Sequence, residues 1–171
     1  MQAKFIHLNL HTEFSLLDST VRIKSLLQHC IEQQMPALAI TDHNNLFALV
    51  KFYRAAVQAG IKPIIGAEIC MQNPQDAKQP FKAILLCKDK LGYQNLTRII
   101  SRAYLEGQAS GQALVDRKWI SEATEGLIML SGAQQGDVGQ LICAGKLTQA
   151  EKILQRWRDL FSDNFYLELQ Q

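Results

Sequence analysis

Residues 36–68 read PALAITDHNNLFALVKFYRAAVQAGIKPIIGAE, and their order of patterns decides the fold. Pro36 introduces Ala37 to Ile40, an apolar run too brief for a buried helix and bounded by turn-formers, which predicts a buried parallel strand. From Leu46 to Ala59 the apolar residues return at helical spacing, with Leu46, Leu49, Val50, Tyr53 and Val57 on one side. Gly60 then ends the helix, being suited to the left-handed C-terminal position. Pro63 to Met71 predicts the next strand. Strand, helix and strand in this order make a βα unit, and Asp42-His43 and Glu68 emerge where its two apolar runs stop.

Outward from this unit the alternation continues. FIHLNLH (residues 5–11) lies in a predicted strand from 4 to 10 that places His7, Asn9 and His11 on one face. A helix over 20–34 follows, with Ile23, Leu26, Leu27, Cys30 and Ile31 as its apolar face and Ser19 or Thr20 as its cap. Beyond the central unit, Phe81 to Cys87 predicts a strand after the polar loop NPQDAKQP. Leu91 to Leu105 predicts a helix and Gly126 to Ser131 a strand. Thr148 and Glu151 have capping-box spacing and open a helix to about Phe161. Phe165 to Leu169 predicts a final buried strand. Such repetition implies an α/β fold with a mostly parallel sheet, open or closed into a barrel. No linker interrupts it, so residues 1–171 read as one globular domain, and the stop directly after a strand reads as truncation.

Composition narrows the function classes. The chain has 171 residues, is 47% apolar, and has a net charge of +2 from 18 basic and 16 acidic residues, too balanced for a dedicated nucleic-acid stripe. No apolar run approaches the roughly 18 residues of a membrane span, and the N-terminus lacks a secretory pattern, so a cytoplasmic location with no membrane partner is expected. Cys30, Cys70, Cys87 and Cys143 are widely spaced among apolar neighbours and read as reduced core thiols. Asn95-Leu96-Thr97 matches a glycosylation acceptor that has no meaning without a secretory signal. There is no Walker loop, no GxGxxG and no GxSxG.

In parallel βα architectures the functional groups gather at the C-terminal ends of strands, where His11, Asp42, His43 and Glu68 all fall. Imidazoles and carboxylates together suit zinc or manganese, whose bound water attacks phosphoesters. Asp18 adds either another ligand or a helix-terminal carboxylate. His7 reads as a core histidine and His29 as a solvated one.

The stretches HLNLHTEFSLLDS, the central segment, GYQNLTRIISRAY, and EGLIMLSGAQQGDVG through FYLEL resemble the polymerase and histidinol phosphatase family, in the form found at the N-terminus of bacterial DNA polymerase III alpha subunits. The resemblance covers the whole chain. It implies a distorted (β/α)7 barrel of which this chain is the first part, a site for up to three metals, and phosphoester hydrolysis including 3′ to 5′ nucleotide removal where that site is intact. His11, Asp18, His43 and Glu68 match ligand positions of the family. Asn9 stands where the first histidine of HxHT is expected, Lys82 where a histidine opens the next strand, and Ala133 where a cysteine follows LSG.

An ammonium roughly 4 Å from a divalent ion is repelled by several kcal/mol at an effective dielectric of about 20. Lys82 is therefore expected to supply the charge the metals would bring, pairing with Asp18, Asp42 or Glu68 in a site turned structural. The resemblance further implies a parent that is a DNA-directed DNA polymerase of replication, using magnesium and meeting DNA through its remaining domains. This domain would be non-catalytic and would dock the proofreading exonuclease (epsilon) subunit. The alternative is a metal-dependent phosphoesterase or 3′–5′ exonuclease that holds residual zinc or manganese on His11, Asp18, His43 and Glu68. A free-standing histidinol-phosphatase-like enzyme is a third reading that leaves the match from GYQNLT onward unexplained.

Overall fold

A computed structural model describes residues 5–16, 18–76, 78–109 and 111–169. The chain divides into two compact units, Met1–Glu68 and Ile69–Gln171. Among the described residues no helix is long and apolar enough to cross a membrane.

The first unit contains α1 (Ile23–Glu32), β1 (Ala37–Ile40), α2 (Leu49–Gln58) and most of β2 (Lys62–Met71). β1 occupies the expected four residues, all buried, and pairs in parallel with β2 from Ala37↔Lys62 to Ile40↔Ile65. Gly60 holds φ at 72°, the left-handed geometry needed to leave α2. The buried face of α2 is not the side on which those larger apolar residues fall. It consists of Ala48, Phe52 and Ala56, packed with Ile23, Leu27, Cys30, Leu38, Ile40 and Ile61, while Val50, Tyr53 and Val57 are exposed. Two alanines flanking one large ring allow α2 to lie close to its neighbours, and burying Phe52 contributes about 1.5–3 kcal/mol. The bulkier residues of α2 have no room on that face.

Other corrections in this unit concern its ends. Of the strand expected over 4–10, Lys4 lies outside the described residues and 5–10 are not regular strand. His7 O and Leu10 O nevertheless accept from the backbone N–H groups of Ala39 and Thr41. Three residues on one side thus span two on the other, and the bend at Leu8–Asn9 breaks the alternation meant to align His7, Asn9 and His11. His7 sits half-buried, edge-on to Phe5. α1 begins three residues later than expected, after Arg22, with no side-chain cap. Ser19 Oγ instead donates to His11 O at 2.8 Å. Ile31, expected on the core face, is exposed.

The second unit contains the end of β2, then β3 (Phe81–Cys87), α3 (Lys90–Glu106), the short pair β4 (Gln108–Ala109) and β5 (Gln112–Ala113), α4 (Arg117–Ser121), β6 (Leu127–Leu130), α5 (Asp137–Cys143), α6 (Leu147–Phe161) and β7 (Phe165–Tyr166). β6 and β7 are parallel, but β3 and β6 are antiparallel, from Ile84↔Leu130 to Cys87↔Leu127. The mostly parallel expectation fails at this pair for a local reason. Lys88 N donates to Gly126 O at 2.8 Å, and Gly92 at the start of α3 lies so close to the Gly126 backbone that a Cβ there would overlap its carbonyl. β6 therefore starts beside the end of β3 and must run back along it.

Asp89 caps α3 through Gly92 N. α6 starts at Leu147 with Lys146 as N-cap and no side-chain bond, so Thr148 and Glu151 do not form the expected capping box. β7 is two residues long, and Leu167 and Leu169, expected in a buried strand, are exposed. None of the four cysteines is in a disulfide, though Cys143 is exposed rather than a core thiol. Asn95 is buried in α3, donating to Glu125 O.

Candidate functional site

Every candidate residue of the central segment and N-terminus falls in the first unit. β1 and β2 pair with a constant offset, and the pairing resumes in the same register at the isolated parallel bridge His43↔Glu68. That register brings the two side chains together. Glu68 N points at the carbonyls of Thr41 and Asp42, both at 3.2 Å, and Asn44 N donates to Glu68 O at 2.8 Å. His43 Nδ1 lies 3.1 Å from Glu68 Oε1, within hydrogen-bond distance.

His11 approaches the same carboxylate from the N-terminal segment. Its Nε2 is 3.7 Å from Glu68 Oε2, too far for a hydrogen bond, and its Nδ1 is 3.9 Å from Asp18 Oδ2. Asp18, His11, Glu68 and His43 thus form one chain of contacts. Glu68 is its buried centre and Asp18 its half-exposed end, and His11 Nε2 is buried without a hydrogen-bond partner. A carboxylate-oriented imidazole can move a proton at neutral pH.

Asp42 has another task. It is 2% exposed, and its Oδ1 accepts from Thr12 N at 2.6 Å and Ser15 Oγ at 2.7 Å, while Thr12 Oγ1 donates across both oxygens at 3.0 and 2.8 Å. Thr12 also caps the short turn Glu13–Ser15 by accepting from Phe14 N, and Ser15 Oγ accepts from His43 N at 3.0 Å. Asp42 therefore ties the N-terminal turn to the end of β1. Thr12 and Ser15 escaped sequence reasoning, although both hydroxyls lie within the quoted HTEFS stretch. Asn9 is similarly engaged, its Oδ1 accepting from Thr41 Oγ1 at 3.0 Å, and Asn45 donates to the carbonyls of Phe14 and His43.

Asp42 and Asn9 are spent on hydrogen bonds, Glu68 bonds His43 directly, and among the described residues no group of three or more His, Cys, Asp or Glu is arranged to hold a metal ion. Lys82, half-buried on β3, and Ala133, with φ at 46° after β6, belong to the second unit.

The second unit holds a polar cluster that sequence reasoning missed. Asp137, 2% exposed at the start of α5, accepts from Trp157 Nε1 and Val138 N and meets Arg117 at 3.0 Å. Burial pushes its carboxyl above the ordinary value of 3.8, with Arg117 and the hydrogen bonds opposing. The only signal for it was an acid set between Gly136 and Val138 in GDVG.

The PHP domain model matches residues 7–171. The DNA polymerase III subunit alpha of Pseudomonas fluorescens is 47% identical over 171 residues, that of Pseudomonas aeruginosa 44% over 170, and that of Vibrio cholerae 43% over 166, each covering 97–99% of this chain. The chain spans about 14% of the length of these relatives. Among solved structures, a protein described as a metal-dependent phosphoesterase, from Bifidobacterium adolescentis, superimposes with a TM-score of 0.51 over 95% of this chain and 85% of its own, at 11% identity. That likeness is one of fold.

Proposed function

We propose, from the premise that this chain belongs to the PHP domain family, that it serves as the PHP domain of a DNA polymerase III alpha subunit. The parent would be a DNA-directed DNA polymerase of replication, supplying magnesium-dependent synthesis and DNA contact through its other domains. In this reading the domain itself performs no phosphoester chemistry. Its former metal mouth has become a hydrogen-bonded joint, and the domain acts as a scaffold that docks the proofreading exonuclease (epsilon) subunit.

One observation carries the reading. Asp42, the aspartate of the TDH segment, is itself buried and is saturated by Thr12 and Ser15, so it joins two segments. Buried polar networks of this kind hold geometry when every member is satisfied. The identity to alpha subunits over almost the whole chain supplies the parent.

The test is elemental analysis of the purified protein beside an assay on a bis-nitrophenyl phosphoester. Zinc and manganese well below one per chain, with no turnover, support the joint. A full metal complement with turnover abolished by His43→Ala rejects it.

His11 Nε2, buried without a hydrogen-bond partner, favours a second reading. In it, His11, Asp18, His43 and Glu68 would hold a residual zinc or manganese ion and support phosphoesterase or 3′–5′ exonuclease activity. The same metal analysis separates the two. Docking is tested apart from it, by co-purification of the full-length chain with the exonuclease subunit.

A further inference from the structure

α2 exposes apolar bulk that its own unit does not use. Val50, Tyr53 and Val57 are 51–58% exposed, and Phe47, in the turn leading into the helix, is 67% exposed. At roughly 100° per residue these four positions fall on one side, opposite Ala48, Phe52 and Ala56. A helix that buries alanines and presents Phe, Val, Tyr and Val has two working faces.

The segment that carries the stripe bears charge of one sign. From Asn44 to Ala67 there is no aspartate or glutamate, while Lys51, Arg54 and Lys62 are all exposed. By helical spacing Arg54 falls between Val50 and Phe47, and Lys51 borders the stripe beyond Phe47. Lys51 lies 3.7 Å from Glu13 and 5.3 Å from the centre of the Phe14 ring.

The geometry points to the outer face of α2 as a docking surface for an acidic amphipathic helix of a partner protein. Its apolar residues would lie along Phe47, Val50, Tyr53 and Val57, and its carboxylates beside Lys51 and Arg54. Anchors about one helical turn apart are the spacing by which one helix reads another, and complementary charge along one border sets the orientation. Aliphatic Val50 and Val57 give a base nothing to stack on, which favours a helix over single-stranded nucleic acid, the other partner suited to mixed basic and aromatic surfaces. The inference stands whether or not the polymerase reading holds.

The experiment uses the full chain and four fluorescent probes: a helical peptide with leucines at i, i+3, i+4 and i+7 and glutamates beside them, its lysine counterpart, a scrambled acidic peptide, and oligo-dT. Anisotropy titrations are expected to show preference for the ordered acidic peptide by on the order of tenfold over the other three. Val50→Asp, Val57→Ser and the pair Lys51→Glu/Arg54→Glu should each erode that preference with the circular dichroism unchanged, since all these side chains are exposed. Equal binding of the acidic and lysine peptides, preference for oligo-dT, no binding, or indifference to Val50→Asp would each overturn it. So would a concentration-dependent dimer dispersed by Val50→Asp, which would assign the face to a second copy.

Discussion

Replacing Asp42 by alanine is expected to destabilise the protein by about 3–5 kcal/mol, whether or not metal is available. The figure follows from what remains after the change. Thr12 N, Thr12 Oγ1 and Ser15 Oγ all donate to this carboxylate in a buried setting. A hydrogen bond to a charged group contributes about 1.5–3 kcal/mol, and a stranded buried donor costs about 1–3. Summed naively these exceed the expected loss, but the hydroxyls can turn to other acceptors and the three bonds share one acceptor, so they are not additive.

Asp42→Asn keeps Oδ1 for Thr12 N and Ser15 Oγ and loses mainly the charge, so about 1–2 kcal/mol is expected. Urea denaturation with and without EDTA is the assay. At an m-value of roughly 2 kcal/mol/M the alanine variant should lower the midpoint by about 2 M. A midpoint loss that disappears in EDTA would assign Asp42 to a metal and refute the joint. A loss below about 1 kcal/mol, or one no greater than that of Asp42→Asn, would refute the hydrogen-bond account as well.

Three further outcomes test the fold. Gly92→Ala should cost more than about 3 kcal/mol by thermal or urea unfolding, because the Gly126 backbone blocks a Cβ. Asp137 has its folded carboxyl raised above 3.8, so the native state binds more protons there than the unfolded chain does. Its contribution to stability therefore falls as pH rises from about 3.8 through the raised value, and Asp137→Asn should flatten that part of the pH–stability profile. In native protein at pH 8, a thiol reagent should modify Cys143 first. Cys30 and Cys70 are buried, and burial with Asp89 pushes the Cys87 thiol up to about 12; equal rates for all four would contradict this placement.

Much of the architecture was legible in order and length. Ala37–Ile40 and Phe81–Cys87 match their predicted strands because each is a short apolar run bounded by turn-formers, a pattern that needs no knowledge of neighbours. The outer faces were not legible. α2 has more large apolar residues than one face can take, and Phe52 with its two alanines won the interior through close packing, which spacing does not reveal. β6 read as parallel because βα repetition usually implies it, whereas it starts beside the end of β3, where Gly92 meets Gly126, and runs antiparallel to it.

The site divides in the same way. Sequence alone named His11, Asp18, His43 and Glu68, since residue chemistry at strand ends is local information, and the resemblance marked Asn9, Lys82 and Ala133 as departures. The role of Asp42 was decided only in three dimensions. Whether a carboxylate serves a metal or a hydroxyl depends on which donors the chain brings within about 3 Å. Thr12 and Ser15 reach Asp42 from 30 and 27 residues away because the N-terminal segment lies alongside β1, and no reading of spacing could supply that distance.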